Sequence, residues 1–90
     1  MCKKIGFIGC GNIARAMIGG LVNKGSIDPQ NIIVSNRTSP KLQAIKESYN
    51  VNTTLDNIQV ANFSDIIILA VKTNKYFEII DHIKNHINKD

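Results

Sequence analysis

Three small residues near the start of the chain have the spacing of a nucleotide-binding turn. Gly9, Gly11 and Ala14 form a G-x-G-x-x-A pattern. The pattern follows an apolar segment typical of a buried strand and opens a segment with helical spacing. The first glycine permits a tight turn, the second lets a pyrophosphate approach the backbone, and the small third residue lets helix and strand pack closely. The helix then offers its unpaired amides to the phosphates, so we predict a dinucleotide site, with a merely connecting glycine turn as the alternative.

The residues after the second predicted strand indicate which dinucleotide is bound. An NAD site places Asp or Glu there to accept the ribose hydroxyls. This sequence instead has Ser35, Asn36, Arg37 and Thr38, with no carboxylate. Arg37 can pair with a 2′-phosphate through two hydrogen bonds, and the other three residues supply neutral donors. NADP(H) is therefore the preferred cofactor and NAD(H) the second choice, unless Arg37 is only an exposed loop charge.

Two further polar positions lie near the ends of predicted elements. Lys72 follows the fourth predicted strand, where it can face a cofactor or substrate or can simply end in solvent beside the sheet. Asp56 and Asn57 precede a short helix, and a local turn or cap is enough to explain them. From spacing alone, neither position is assigned to a ligand.

No metal site is expected from the cysteines and histidines. Cys2 and Cys10 lie eight residues apart, which fits no zinc motif, and two cysteines are too few for a disulfide scaffold. His82 and His86 are four residues apart, but the isoleucines of the same helix define its buried stripe and leave the histidines towards solvent. We expect Cys10 to be a small apolar filler, although the start of a helix can favour a thiolate.

The remaining sequence alternates between strand-like and helix-like segments, which is typical of a parallel α/β sheet. We predict an α/β, Rossmann-type open parallel sheet of order 3-2-1-4 with flanking helices, and a crevice beyond the carboxyl ends of strands one and four. The fourth strand would be a bare edge, so the sheet is expected to be incomplete. The predicted strands are 5–9, 32–34, 51–53 and 66–71. The predicted helices are 12–24, 39–49 and 76 to nearly the end of the chain, with a short helix or turn over 56–62.

Several residues are expected to end or orient these helices. Gly25 and Asn50 are suited to end the first two helices in the left-handed conformation, and Ser39 followed by Pro40 is a good helix start. The first helix is expected to bury Ile13, Met17, Ile18 and Leu21, and the last helix Tyr76, Ile79, Ile80, Ile83 and Ile87.

The composition limits the remaining classes of function. Ninety residues with 43% hydrophobic and 20% charged residues are typical of one small globular domain. The longest apolar run is far shorter than the ~20 residues that span a bilayer, and no leader pattern opens the chain, so a cytoplasmic protein without a membrane partner is expected. The net charge of +4 comes from scattered lysines, which favours a solvated surface over nucleic-acid binding.

The same segments resemble the pyrroline-5-carboxylate reductase family, whose members reduce the imine 1-pyrroline-5-carboxylate to L-proline with NAD(P)H in the last step of proline biosynthesis. The resemblance is carried by residues 5–14, 18–21, 32–37, 53–57 and 65–72. It implies a pyrophosphate site, a 2′-phosphate site, an adenosine contact and a nicotinamide side. In that order these would be formed by Ile8, Gly9, Cys10, Gly11, Asn12 and Ile13; by Asn36 and Arg37; by Asn57; and by Ala70, Val71, Lys72 and Thr73. Thr73 stands where the family has proline, and Cys10 where it has alanine.

The resemblance also implies that this chain is one part of an enzyme. In the family, the dinucleotide domain continues past ninety residues, and a helical domain then forms the homo-oligomer and most of the substrate pocket. Residues 1–90 are therefore expected to be an N-terminal dinucleotide-binding (Rossmann) domain that is inactive alone, and no catalytic residue is assigned. Its partners would be a small-molecule cofactor and an imine substrate. The alternatives are a stand-alone NADP(H)-binding or regulatory module and a related imine or cofactor reductase.

Overall fold

Strands and helices alternate along the chain in a computed structural model that describes residues 3–25, 27–71 and 73–85. All eight predicted elements are confirmed, with ends that shift by a few residues. The elements are β1 (Ile5–Ile8), α1 (Asn12–Asn23), β2 (Ile32–Ser35), α2 (Ser39–Tyr49), β3 (Asn52–Thr54), α3 (Asn57–Phe63), β4 (Ile66–Leu69) and α4 (Tyr76–Ile83). Short 3-10 turns at Pro29–Asn31 and Thr73–Lys75 precede β2 and α4.

The four strands form one parallel sheet in the predicted order, β3-β2-β1-β4. In the two pairings of β1, Ile8 lies opposite Ser35 of β2 and opposite Leu69 of β4. The carboxyl ends of these three strands are therefore level, and the loops that follow them leave the sheet along one edge. The open Rossmann-type architecture predicted from the sequence is confirmed.

The core lies on both faces of the sheet because successive strand residues point to opposite sides. Phe7 and Val34 pack with α1 and α2 on one face, whereas Ile8 and Ile33 pack with α3 and α4 on the other. Both central strands are buried along their whole length. This burial on two faces explains why their sequences are continuously apolar rather than alternating.

The predicted helix ends are confirmed at two positions and corrected at a third. Gly25 and Asn50 have φ angles of 69° and 60°, and the Asn50 amide donates to the Lys46 carbonyl at the end of α2. At the start of α2, however, the capping position is Thr38, and no side chain caps the helix there. The expected capping hydroxyl of Ser39 is therefore wrong, because Ser39 is already the first helical residue.

The predicted buried face of α1 is partly wrong. Ile18 is fully buried, but Ile13 is 72% exposed and Met17 is 39% exposed. The buried side of α1 carries Ala14, Ile18 and Gly19 instead. Small residues bring this helix close to the strands, and the bulky side chains one position earlier then fall outside the contact.

The last strand and the last helix leave apolar surface exposed. β4 is an edge strand, as predicted, and its Ile66 is 46% exposed. In α4, Ile83 is buried as expected, but Ile80 is exposed and Phe77 is 85% exposed. Ile87 lies outside the described residues. Within the described ranges, no helix is both long and apolar enough to cross a membrane.

Glycines in β1 and α1 mark close packing of different kinds. A Cβ on Gly6 would overlap the side chains of Val60 and Ser64 in the layer below β1. A Cβ on Gly19 would lie 2.8 Å from the Tyr49 hydroxyl oxygen, so this glycine admits α2 rather than the sheet. A Cβ on Gly20 would meet nothing within 4 Å, so its place in the helix has no packing reason among the described residues.

Replacing Gly6 by alanine should lower the free energy of unfolding by about 1–3 kcal/mol, because the added methyl group overpacks the central strand. Gly20→Ala is the matched control, since the same methyl group meets nothing within 4 Å. Better helix propensity should then raise the free energy of unfolding by up to about 1 kcal/mol. Chemical denaturation measures both changes, and effects of the same sign would contradict the packing described for Gly6.

Candidate functional site

The chain leaves β1 through a gap between its two neighbouring strands. The Gly9 amide donates to the Ser35 carbonyl at 2.9 Å, and the Ala70 amide donates to the Ile8 carbonyl at 2.8 Å. The backbone of Gly9 has φ 104°, and a Cβ there would lie 2.5 Å from the Ala70 carbonyl oxygen. Glycine is therefore required at this position both by conformation and by space.

The start of α1 has the features of a phosphate site. Gly11 is the capping residue, no side chain caps the helix, and its first turn contains no acidic residue. A Cβ on Gly11 would meet nothing within 4 Å, so open space lies directly in front of the backbone. Amides without side-chain partners, a positive helix end and free space together fit the pyrophosphate of a dinucleotide.

One cleft of about 1390 Å³ runs along the carboxyl edge of the sheet and collects most of the predicted site residues. The predicted residues that line it are Ile8, Gly9, Cys10, Gly11, Asn12, Ile13, Asn36, Arg37, Asn57, Ala70 and Val71. Thr73 begins the 3-10 turn before α4, and Lys72 lies outside the described residues. The fold thus brings eleven of the thirteen positions together in one cleft, while their binding roles stay a prediction.

A buried hydrogen bond joins β2 to α3 at the floor of this cleft. The hydroxyl of fully buried Ser35 donates to Oδ1 of Asn57 at 2.6 Å. The expectation that Ser35 offers a donor to the ligand is therefore wrong, because its single proton is already used. Asn57 is left with its amide NH₂ for the cleft, and the predicted local cap is supplied by Asp56, whose Oδ1 accepts from the Ile58 amide at 2.9 Å.

Cys10 is buried beneath the glycine turn, as the sequence predicts for a small apolar filler. Its Sγ lies 3.6 Å from the carbonyl oxygen of Lys41 in the first turn of α2. Burial raises the pKa of the Cys10 thiol, and the positive charges of Arg15 and Lys41 partly offset that rise. The thiol is therefore neutral at physiological pH.

Sequence reasoning missed the residues that α2 and α4 contribute to the cleft. These include Lys41 from α2 and Lys75, Tyr76, Glu78, Asp81 and His82 from the turn before α4 and from α4 itself. None of them belongs to a motif, but both helices begin just after strands that end at this edge, and that topology is the signal that could have found them. The described residues contain no group of three or more His, Cys, Asp or Glu side chains that could hold a metal ion.

Comparison with known proteins shows the family to which the chain belongs. Residues 4–90 match the family described as NADP oxidoreductase, coenzyme F420-dependent, and the chain belongs to this family. Among curated relatives, it is 38% identical over its full length to the pyrroline-5-carboxylate reductase of Escherichia coli K12, of which it covers 34%. It is 41% identical over 94% of its length to pyrroline-5-carboxylate reductase 2 of Bacillus subtilis, of which it covers 31%.

Solved structures agree with this assignment. A pyrroline-5-carboxylate reductase from Coxiella burnetii matches all of this chain with a TM-score of 0.93 and 38% identity, over 33% of its own length. The Plasmodium falciparum pyrroline carboxylate reductase, solved with NADP bound, matches 93% of this chain with a TM-score of 0.77 and 26% identity, over 29% of its own length. The resemblance read from the motifs is confirmed, and the chain spans about a third of the length of the relatives it matches.

The bond between Ser35 and Asn57 should appear as a coupling energy. Ser35→Ala and Asn57→Ala should each lower the free energy of unfolding, and the double variant should lose about 1 kcal/mol less than the sum of the two. Thr54 and Gln59 form an exposed side-chain bond of the same 2.6 Å length and serve as the control pair. Their coupling should be smaller, because water replaces a lost partner at the surface, and equal couplings would contradict the buried bond.

The raised pKa of Cys10 predicts a loss of stability in alkaline solution. The unfolded thiol ionises near its usual value of 9.0, whereas the folded thiol holds its proton to higher pH. The advantage of wild type over Cys10→Ala in free energy of unfolding is thus full below this value and falls as pH rises towards the folded pKa. Denaturation curves of both proteins from neutral pH to about pH 10 measure the difference. A difference that does not change with pH would show that the thiol titrates normally.

Proposed function

We propose that residues 1–90 are the NADP(H)-binding part of a pyrroline-5-carboxylate reductase and form its dinucleotide-binding Rossmann domain. The observation that carries the proposal is one cleft that holds both the uncapped start of α1, with open space before Gly11, and the carboxylate-free end of β2, with Arg37. The pyrroline-5-carboxylate reductases among its relatives support the same conclusion.

In this proposal, each part of the cleft holds one part of the cofactor. The amides at the start of α1 bind the pyrophosphate, Arg37 pairs with the 2′-phosphate, and the Asn57 amide contacts the adenosine half. Ala70 and Val71 line the nicotinamide side, together with Lys72 and Thr73 by resemblance. When bound, the nicotinamide supplies the hydride for an imine carbon. The residues of this chain orient the ring and leave its reactive face open.

NADP(H) is preferred over NAD(H) because of the charges beside β2. Ser35 and Asn36 are neutral there and Arg37 is an exposed cation, so no carboxylate repels a 2′-phosphate or accepts the ribose hydroxyls in its place. The Plasmodium falciparum pyrroline carboxylate reductase, which was solved with NADP bound, supports the same preference. NAD(H) remains the second choice, because the pyrophosphate site alone does not distinguish the two cofactors.

The complete reaction would be the reduction of 1-pyrroline-5-carboxylate to L-proline, a step of proline biosynthesis, in a protein about three times as long. The imine pocket and homo-oligomer contacts belong to the further helical part in this proposal, and no residue of this chain is proposed as the acid. Membership of the family of coenzyme F420-dependent NADP oxidoreductases favours a second candidate, a cofactor reductase on the same fold. A cytoplasmic location and the lack of nucleic-acid or membrane partners stay predictions.

The first experiment is a calorimetric titration of the protein with NADPH and, separately, with NADH. Replacing Arg37 by Asp should weaken NADPH binding by about tenfold or more, because a cation beside the phosphate becomes an anion, and should change NADH binding far less. Lys3→Asp is the control, since it makes the same charge change before β1, at the opposite edge of the sheet. Equal losses for both cofactors would refute the 2′-phosphate role of Arg37.

The reaction is tested on the full-length protein by following NADPH oxidation with 1-pyrroline-5-carboxylate. Formation of proline would support the proposed substrate. Tight NADPH binding without turnover of this imine would favour the second candidate.

A further inference from the structure

The exposed side of α1 carries a stripe of uncharged residues. Ile13, Ala16, Met17 and Gly20 are all exposed and follow the spacing i, i+3, i+4 and i+7. This spacing is typical of a helix face that is buried against a neighbour, yet Ile13 is 72% exposed. A single exposed apolar side chain is ordinary on a protein surface, whereas neighbours on one helix face form a continuous patch. We call these four residues the outer stripe of α1.

The outer stripe consists of a ridge beside a groove. Ile13 and Met17 are four residues apart and form one row of large side chains. Ala16 and Gly20 form the neighbouring row, whose side chains are a methyl group and a hydrogen atom. Helices pack by placing the ridges of one helix into the grooves of the other, so the outer stripe has the shape that fits a second helix.

Gly20 supports this interpretation because it lowers the stability of α1 and gains no contact in the described structure. Glycine inside a helix costs up to about 1 kcal/mol relative to alanine, and Gly20 lies in the third turn of α1. A Cβ there would meet nothing within 4 Å, whereas Gly19 beside it admits Tyr49 of α2. In residues 1–90 alone a methyl group on Gly20 is accommodated, but under a docked helix it would narrow the groove.

The rest of a longer polypeptide is the occupant that fits this position. The chain covers 34% of the Escherichia coli reductase and 33% of the Coxiella burnetii reductase, so these proteins are about three times as long. Ile13 also lines the cleft, and a helix on the outer stripe would therefore border the cleft at the start of α1. A part that both packs on α1 and completes the cleft is needed in every molecule of the enzyme, which favours the same polypeptide over a separate protein.

We propose that the outer stripe of α1 is the docking surface for a helix from the part of the full-length protein beyond residue 90. This inference rests on the proposed function, in which residues 1–90 are one part of a reductase. The docked helix places an apolar ridge of its own in the groove at Ala16 and Gly20 and covers Ile13 and Met17. It thereby holds the further part of the protein beside the cleft.

Ala16→Gln in the full-length protein tests this inference. A long side chain in the groove should hold the docked helix away from α1 and lower the thermal midpoint of unfolding by roughly 3–8 °C. Ala44→Gln is the matched control, because Ala44 is an exposed alanine inside α2, and it should shift the midpoint by less than about 2 °C. Ala16 belongs to no part of the proposed cofactor site, so the NADPH affinity of Ala16→Gln should match that of the wild type.

Oxidation of Met17 by dilute hydrogen peroxide provides a second measurement that needs no substitution. The oxidant transfers one oxygen atom to the sulfur of Met17 and leaves water, and peptide mass spectrometry follows the sulfoxide. Under a docked helix, Met17 of the folded full-length protein should react at least about tenfold more slowly than Met17 of the protein unfolded in denaturant. Weaker protection would show that the outer stripe is free and would overturn the proposal.

The remaining outcomes separate this inference from the proposed function. Equal midpoints for Ala16→Gln and Ala44→Gln would contradict a helix in the groove. If Ala16→Gln splits the full-length protein into smaller oligomers on a sizing column, a second copy covers the outer stripe and the proposed occupant is wrong. NADPH binding by the wild type would leave the proposed function standing in each of these cases, whereas a folded full-length protein that does not bind NADPH would refute the proposed function itself.

Discussion

The whole site depends on how the chain leaves β1 between two strands that are already in place. Ile8 and Gly9 still pair with β4 and β2 through the bonds to Ala70 and Ser35, and the chain must then turn without touching the Ala70 carbonyl. Only glycine fits that turn, and α1 begins three residues later, at the carboxyl edge of the sheet. The proposed pyrophosphate site is thus a consequence of strand pairing, because the same three strands that build the core fix where the helix begins.

Strand order then decides which chemistry surrounds that helix end. Because β2 lies on one side of β1 and β4 on the other, the loops that follow them meet the glycine turn from opposite directions. The loop after β2 supplies Arg37, and α2 supplies Lys41. The segment after β4 supplies both basic and acidic side chains, among them Lys75, Glu78 and Asp81. One cleft therefore has a cationic end beside α2 and an end beside α4 where acidic and basic residues are mixed. In the proposed function, the cationic end is the one that attracts the phosphate groups of the cofactor.

The parts of this arrangement that were predictable from the sequence are those encoded locally. The strand order, the glycine turn and the left-handed end at Asn50 follow from residue types and spacing. The buried side of α1 was not predictable in this way. Ala14 and Gly19 are buried because they are small, and a search for regularly spaced large apolar residues does not detect small ones. Ser35 was misjudged for a related reason. Its hydroxyl is a donor in any sequence, and only the tertiary neighbour Asn57 shows that the proton is already used.

Burial of Cys10 connects the packing of the turn to its electrostatics. A thiolate under Arg15 and Lys41 would pair with both cations and compete with any phosphate for them. Desolvation outweighs the attraction of these cations and keeps the thiol protonated. Cys10 therefore fills space between strand and helix without neutralising the charges of Arg15 and Lys41. The alanine that the family places here would achieve the same result without titrating. The cost of cysteine is therefore confined to alkaline solution, where its proton is lost.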